Sequence, residues 1–171
     1  IQKAIIKFLT EELIKKRAVG NLILYTVNLN NTTVFAYFEI LIKEKMPNLE
    51  KKSLKIIREE LSNREFISIV IFGSYAQDKQ KEKSDLDIAI FVNSIEDKKY
   101  GELAMKSAEL KSILELDIHI ITKDEMLQML KDKHENLGKQ IAYKHLAVHN
   151  PIIFYSIIQE GINNGFKIVY T

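Results

Sequence analysis

The stretch Ile71–Ile90, IFGSYAQDKQKEKSDLDIAI, sets two aliphatic runs around a polar segment. The first run ends in Gly73-Ser74. The second opens on Asp85 and Asp87, separated by a single leucine, and continues as IAIFV. Successive residues of a strand point to opposite faces of a sheet. Asp85 and Asp87 therefore share a face, with Cα atoms about 6.5–7 Å apart from the strand rise. A strand that is otherwise aliphatic needs a reason to begin on two like charges.

Three strands are expected around this stretch: FISIVIF at 66–72, DLDIAIFV at 85–92 and ILELDIHII at 113–121. One face takes Ile67, Ile69 and Ile71, then Leu86, Ile88 and Ile90, then Leu114, Leu116, Ile118 and Ile120; all are aliphatic. The other face takes Phe66, Ser68 and Val70, then Asp85, Asp87 and Ala89, then Glu115, Asp117 and His119. The alternation predicts an α+β fold: a small mixed sheet with helices on one face and acids over part of the other. If the second and third strands are neighbours, about 4.8 Å apart, Asp117 joins the pair. Three carboxylates so placed repel unless cations sit among them. Hard oxygen donors, without thiolate or paired imidazole, favour Mg2+ or Mn2+. Two such ions about 3.5–4 Å apart serve in-line phosphoryl and nucleotidyl transfer. Gly73 permits a sharp turn and close approach of a ligand to the backbone. Ser74 adds a hydroxyl and is expected to open a short helix, whose free N–H groups suit phosphate. An isolated Asp-x-Asp is more often a solvated strand end. The Gly-Ser before it and Asp117 on the next strand carry the reading. Glu115 and His119 are expected to face solvent, and His134, His145 and His149 to be packed or on helix surfaces.

The stretch GSYAQDKQKEKSDLDIAI resembles the Gly-Ser…Asp-x-Asp signature of the DNA polymerase β-like nucleotidyltransferase superfamily, most closely its minimal prokaryotic branch. The likeness covers about residues 66–121. It implies that Gly73 and Ser74 bind the triphosphate of a nucleotide. It implies that Asp85 and Asp87 hold two divalent ions, and that Asp117 completes the metal site and assists the attacking hydroxyl. The catalytic set is then Asp85, Asp87 and Asp117, with Mg2+ or Mn2+ as cofactor and an NTP, ATP foremost, as substrate. One departure stands out. Family members often follow Gly-Ser-x-Ala with a basic residue and a glycine; here Gln77-Asp78 follow. Lys79, Lys81 or Lys83 are the nearby cations that could compensate.

The front of the chain reads differently. Ile1, Ala4, Ile5, Phe8, Leu9 and Leu13 recur at helical spacing, which predicts a helix over 1–17. KKRAVGNLILYTVNL then reads as a hairpin turning at Gly20-Asn21. This segment resembles the recognition helix and wing of a winged helix-turn-helix. That implies DNA contacts from Lys3 and Lys7 at the major groove and from Lys16 and Arg17 on phosphates. A helix and hairpin used for dimerisation suits the same residues. Amphipathic helices are expected from Thr32 to Lys45 and through Leu49, Leu54, Ile57 and Leu61. Further helices are expected after Ser94, capped with Asp97 three residues on, and near 123–133, with Thr122 and Glu125 as the capping pair. The last two are expected at 135–149 and 151–160, with Gly161 as a stop. Residues 1–46 thus form a partial winged-helix segment with a linker helix, and 47–171 the nucleotidyltransferase domain with its C-terminal helices.

Composition narrows the partners. There is no cysteine, which excludes disulfides and thiolate metal sites, and the four histidines form no zinc spacing. The net charge is +2, but residues 1–64 carry +5 and the remainder −3. No apolar run is long enough to span a bilayer, so a cytoplasmic protein without a membrane partner is expected. The resemblances imply two functions, beside a plain interaction module whose acids are simply solvated. One is a Mg2+-dependent nucleotidyltransferase whose acceptor is a protein hydroxyl, a small molecule or a nucleic acid; some minimal relatives adenylylate a helical toxin partner. The other is a winged-helix DNA-binding regulator, plausible as a homodimer, whose nucleotidyltransferase domain senses nucleotide without turnover.

Overall fold

The structure, a computed structural model, describes residues 1–62 and 67–167. Phe66 and the side chain of Leu49, both assigned faces above, lie outside the described residues. The aliphatic alternation does form the centre. Strands β3 (Ser68–Ile71), β4 (Leu86–Val92) and β5 (Leu116–Thr122) lie side by side, and β6 (Leu146–His149) completes a sheet of order β5-β4-β3-β6. β4 runs parallel to β5 and antiparallel to β3, so the sheet is mixed. The parallel pair is joined by α4 (Ile95–Lys111), the crossover helix that parallel neighbours require.

Ile69, Ile71, Leu86, Ile88, Ile90 and Ile120 bury against α3 (Asn48–Glu60) and α4 on the aliphatic face. The second face is divided. Val70, Ala89, Phe91 and Ile121 are also buried, under α5 (Lys123–Lys131), α6 (Leu137–Tyr143) and α7 (Pro151–Asn163). Helices therefore cover part of this face as well, and the acids occupy the end they leave open. Phe154 of α7 is fully buried against Phe91, their ring centres 5.2 Å apart.

The helix caps follow the sequence. Ser94 Oγ accepts the Asp97 N–H at 3.1 Å. Thr122 and Glu125 form a reciprocal capping box: Thr122 Oγ1 accepts from the Glu125 N–H, and Glu125 Oε2 from the Thr122 N–H, at 3.2 and 2.9 Å. Thr122→Ala is expected to cost about 1 kcal/mol of stability. A urea unfolding midpoint unchanged by this substitution would show that the box contributes nothing.

Three boundaries differ most from expectation, each for a visible reason. The first helix, α1 (Gln2–Thr10), stops well short of residue 17. Glu12 adopts φ 54°, the Glu12 N–H donates to Leu9 O and the Leu13 N–H to Phe8 O. This is a Schellman stop built without glycine. Asn28 and Asn31 make it possible by donating their side-chain amides to the carbonyls of Glu12 and Glu11. β1 (Ile14–Val19) and β2 (Leu22–Val27) then pair antiparallel around Gly20-Asn21, as the turn signal required. α2 (Thr33–Lys45) follows, and its Phe35 stacks on Tyr155 of α7. The second difference is β6. A helix was expected to run to residue 149; it ends at Tyr143, and Leu146–His149 pair with the free edge of β3. The third is Gly161, which lies inside α7 and packs against Leu130. The stop comes at Gly165, φ 101°, where the Phe166 N–H closes onto Gly161 O.

Candidate active site

The site is built where three strand ends meet. β3 ends at Ile71, and the Phe72 N–H still donates to Asp87 O at 3.1 Å. This brings Gly73 directly over Asp87. Gly73 has φ 65°, and a Cβ there would stand 2.0 Å from Asp87 Oδ2. Only glycine lets the carboxylate lie against the backbone at this bend. The Ser74 N–H donates to Asp87 as well. Ser74 opens a single 3-10 turn, Tyr75–Gln77, so the expected helix start is too short to add much dipole. Gly73 and Ser74 thus face Asp87.

The parallel register pairs Asp87 with Asp117, each the second residue of its strand. Asp85 lies two residues before Asp87 on the same face and is exposed. The structure therefore brings Asp85, Asp87, Asp117, Gly73 and Ser74 to one end of one sheet face. The electrostatics bear the mark of this crowding. Asp87 titrates above the ordinary aspartate range, because of burial first, then the charges of Asp117 and Asp85; the Ser74 N–H and His119 pull the other way. A group held against like charges gains from a cation placed between them. The donors are all oxygens, which suits a hard divalent ion. Among the described residues no three such ligands are drawn together into a preformed cage. The fit is therefore one of charge and donor type.

Several neighbours were not legible in the sequence. His119 is not simply solvated: its Nε2 lies 3.4 Å from Asp117 Oδ1, and its ring packs beside Phe72. Glu115 is exposed, as expected. Gln77, standing where a basic residue is common, donates its side-chain amide to Gly73 O at 3.2 Å and so pins the bend. Its Oε1 accepts from Lys144 Nζ at 3.4 Å. A cation thus reaches the loop from the far end of α6, a link no local pattern could reveal. Asp78, Lys79, Lys81 and Lys83 are exposed. His134 lies in an exposed turn, while His145 is held between Ile141 O and the Tyr155 hydroxyl.

The basic residues of the front segment lie elsewhere. Lys3 and Lys7 are exposed on α1, with Lys7 Nζ 3.7 Å from Glu11. Lys16 and Arg17 are exposed neighbours on β1 and so point to opposite faces of the hairpin. Among the described residues no helix is long and apolar enough to cross a membrane.

Two comparisons agree with this geometry. Two proteins of Methanocaldococcus jannaschii, MJ0435 and MJ1215, carry the provisional name protein adenylyltransferase. The first is 36% identical over 63 residues, covering 37% of this chain and 66% of its own length. The second is 38% identical over 78 residues, covering 44% of this chain and 87% of its own length. Residues 51–155 match the family described as Nucleotidyltransferase domain, from the start of α3 into α7. That match takes in the bend, all three acids and more than half of the 171 residues, and the chain belongs to the nucleotidyltransferase domain family.

Proposed function

We propose that the chain transfers an adenylyl group from ATP to a hydroxyl of an acceptor protein, with Mg2+ or Mn2+ as the metal. One observation carries the reading: Asp87 and Asp117 stand in register on parallel strands, with Gly73 and Ser74 turned over Asp87. The names of the archaeal relatives support the choice of nucleotide and acceptor. In the reaction the acceptor oxygen bonds to the α-phosphorus, the bond from that phosphorus to the bridging oxygen breaks, and pyrophosphate leaves. Gly73 admits the triphosphate to the backbone and Ser74 offers its hydroxyl to a phosphate oxygen. Asp85, Asp87 and Asp117 would hold the divalent ions, which supply charge neutralisation and a lower pKa for the attacking hydroxyl. Asp117 accepts the acceptor's proton, and His119 restrains its carboxylate. Residues 47–171 form the transferase unit on this reading, with 1–46 as an attachment whose α2 rests on α7 and β6.

The test uses ATP labelled at either the α- or the γ-phosphate. Label from the α position is expected to become protein-bound in the presence of Mg2+ and to be lost with EDTA. Transfer from the γ position, or transfer insensitive to EDTA, would sink the reading.

A second reading has its own observation. α1 leads directly into a two-stranded hairpin, and Lys3, Lys7, Lys16 and Arg17 are all exposed. On this reading the chain is a DNA-binding regulator that senses nucleotide without turnover. It requires sequence-specific DNA affinity that falls steeply with salt. It also requires that the wild type transfer no label.

A further inference from the structure

Away from the acids, one buried carboxylate has an oxygen without a partner among the described residues. Glu50 is 7% exposed, and among the described residues its Oε2 accepts no hydrogen bond. A carboxylate oxygen out of water and without a donor is unfavourable, and native structures rarely leave one so. Glu50 stands in the first turn of α3. There it lines a cavity of about 390 Å3, enclosed by α2, the α2–α3 connection, the 3-10 turn after Ser74, the start of β6, and α7. That volume lies within the range of small-molecule sites.

The rest of the lining sharpens the contrast. Phe38, Leu41, Ile42 and Met46 give it an apolar wall. Its other inner polar groups are already matched. The Tyr75 hydroxyl donates to Ser84 O at 3.2 Å, and His145 Nε2 and the Tyr155 hydroxyl are 3.0 Å apart. His145 Nδ1 is 2.9 Å from Ile141 O, and burial holds the ring below its ordinary pKa, so it brings no positive charge. No lysine or arginine is among the described lining residues, and Asp78 at the exposed rim adds a second negative charge. The cavity therefore offers an apolar body, an unmet anionic acceptor and no cation among its described lining residues.

We propose that this cavity binds a small amphipathic cation, an apolar group bearing a primary ammonium, whose N–H donors meet the Glu50 carboxylate. The occupant rests against Tyr75 and Ala76, the two residues that follow the Gly73-Ser74 bend, so its binding restrains that bend. None of Asp85, Asp87 and Asp117 lines the cavity, so binding there does not require the transfer reaction.

The test compares 2-phenylethylamine with its neutral counterpart 2-phenylethanol, by calorimetry and by melting of the full chain. The amine is expected to bind saturably and at least about ten-fold more tightly than the alcohol, as a charge-assisted hydrogen bond implies. Glu50→Gln, which keeps the shape and removes the charge, is expected to abolish that preference. Ile42→Trp, which fills the cavity from α2, is expected to abolish binding of both compounds. Binding of the amine is expected to survive Asp87→Asn and saturating ATP. Equal binding of amine and alcohol by the wild type would overturn the proposal. So would an undiminished preference in Glu50→Gln, displacement by ATP, or no saturable binding of the amine. If Glu50→Gln does not fold, the wild-type comparison and Ile42→Trp decide the matter.

Discussion

Asp87→Asn is expected to lower adenylyl transfer by about a hundred- to a thousand-fold, the scale on which a single electrostatic contact to a reacting group acts. The chain should stay folded and melt no lower than the wild type. The second half of this expectation comes from the site's electrostatics. Burial and the charges of Asp117 and Asp85 raise the Asp87 pKa above its ordinary value. Between the unfolded and the folded value the native state holds a proton that the unfolded chain has lost. Stability from this group therefore falls as pH rises through that window, and at neutral pH the charge is carried at a cost. Asparagine removes the charge and with it the cost. The difference in melting temperature, variant minus wild type, is expected to widen as pH rises from the usual aspartate range and then to level off. Mg2+ with ATP should raise the melting temperature of the wild type and not of the variant. The decisive measurement pairs the initial rate of α-label incorporation with melting across pH. A variant that transfers normally would remove Asp87 from the proposed chemistry; one that melts lower at every pH would contradict the electrostatic account.

Gly73→Ala should fail twice. The φ of 65° puts a non-glycine residue in the left-handed region, at a cost of about 1–2 kcal/mol. The added Cβ would also lie 2.0 Å from Asp87 Oδ2 and 2.7 Å from Asp87 Cγ, so the carboxylate must move. Transfer should drop about as far as in Asp87→Asn, through displacement rather than neutralisation. A double-mutant cycle separates the two costs. With Asp87→Ala as background the closest atoms are gone, and the stability penalty of Gly73→Ala should shrink toward the backbone cost alone. An equal penalty in both backgrounds, read from urea unfolding, would show that the contact does not matter.

Much of this site could be read from the chain because strand alternation is a local rule. Once Ile88 and Ile90 were placed on the buried face, Asp85 and Asp87 had to share the other; Ile118 and Ile120 did the same for Asp117. What escaped was set by distant partners. Nothing near Glu12 announces a helix stop, since the residues that hold it there, Asn28 and Asn31, lie well downstream. LAVH has too few residues for its alternation to stand out, and it is a strand because β3 had an open edge to offer. Lys144 reaches Gln77 across 67 positions of sequence, and His119 touches Asp117 through a side-chain rotation that no spacing encodes.

The late arrival of β6 has a consequence for how the protein is made. β3 sits between β4 and β6, and its Val70 waits for Ala147 before its second edge is satisfied. During synthesis the ribosome must therefore deliver most of the chain while a short, mostly apolar strand stands with one side unpaired. Such an edge invites pairing with a neighbouring nascent chain. Any shortened product ending ahead of residue 146 should accumulate as insoluble material rather than as a smaller working unit.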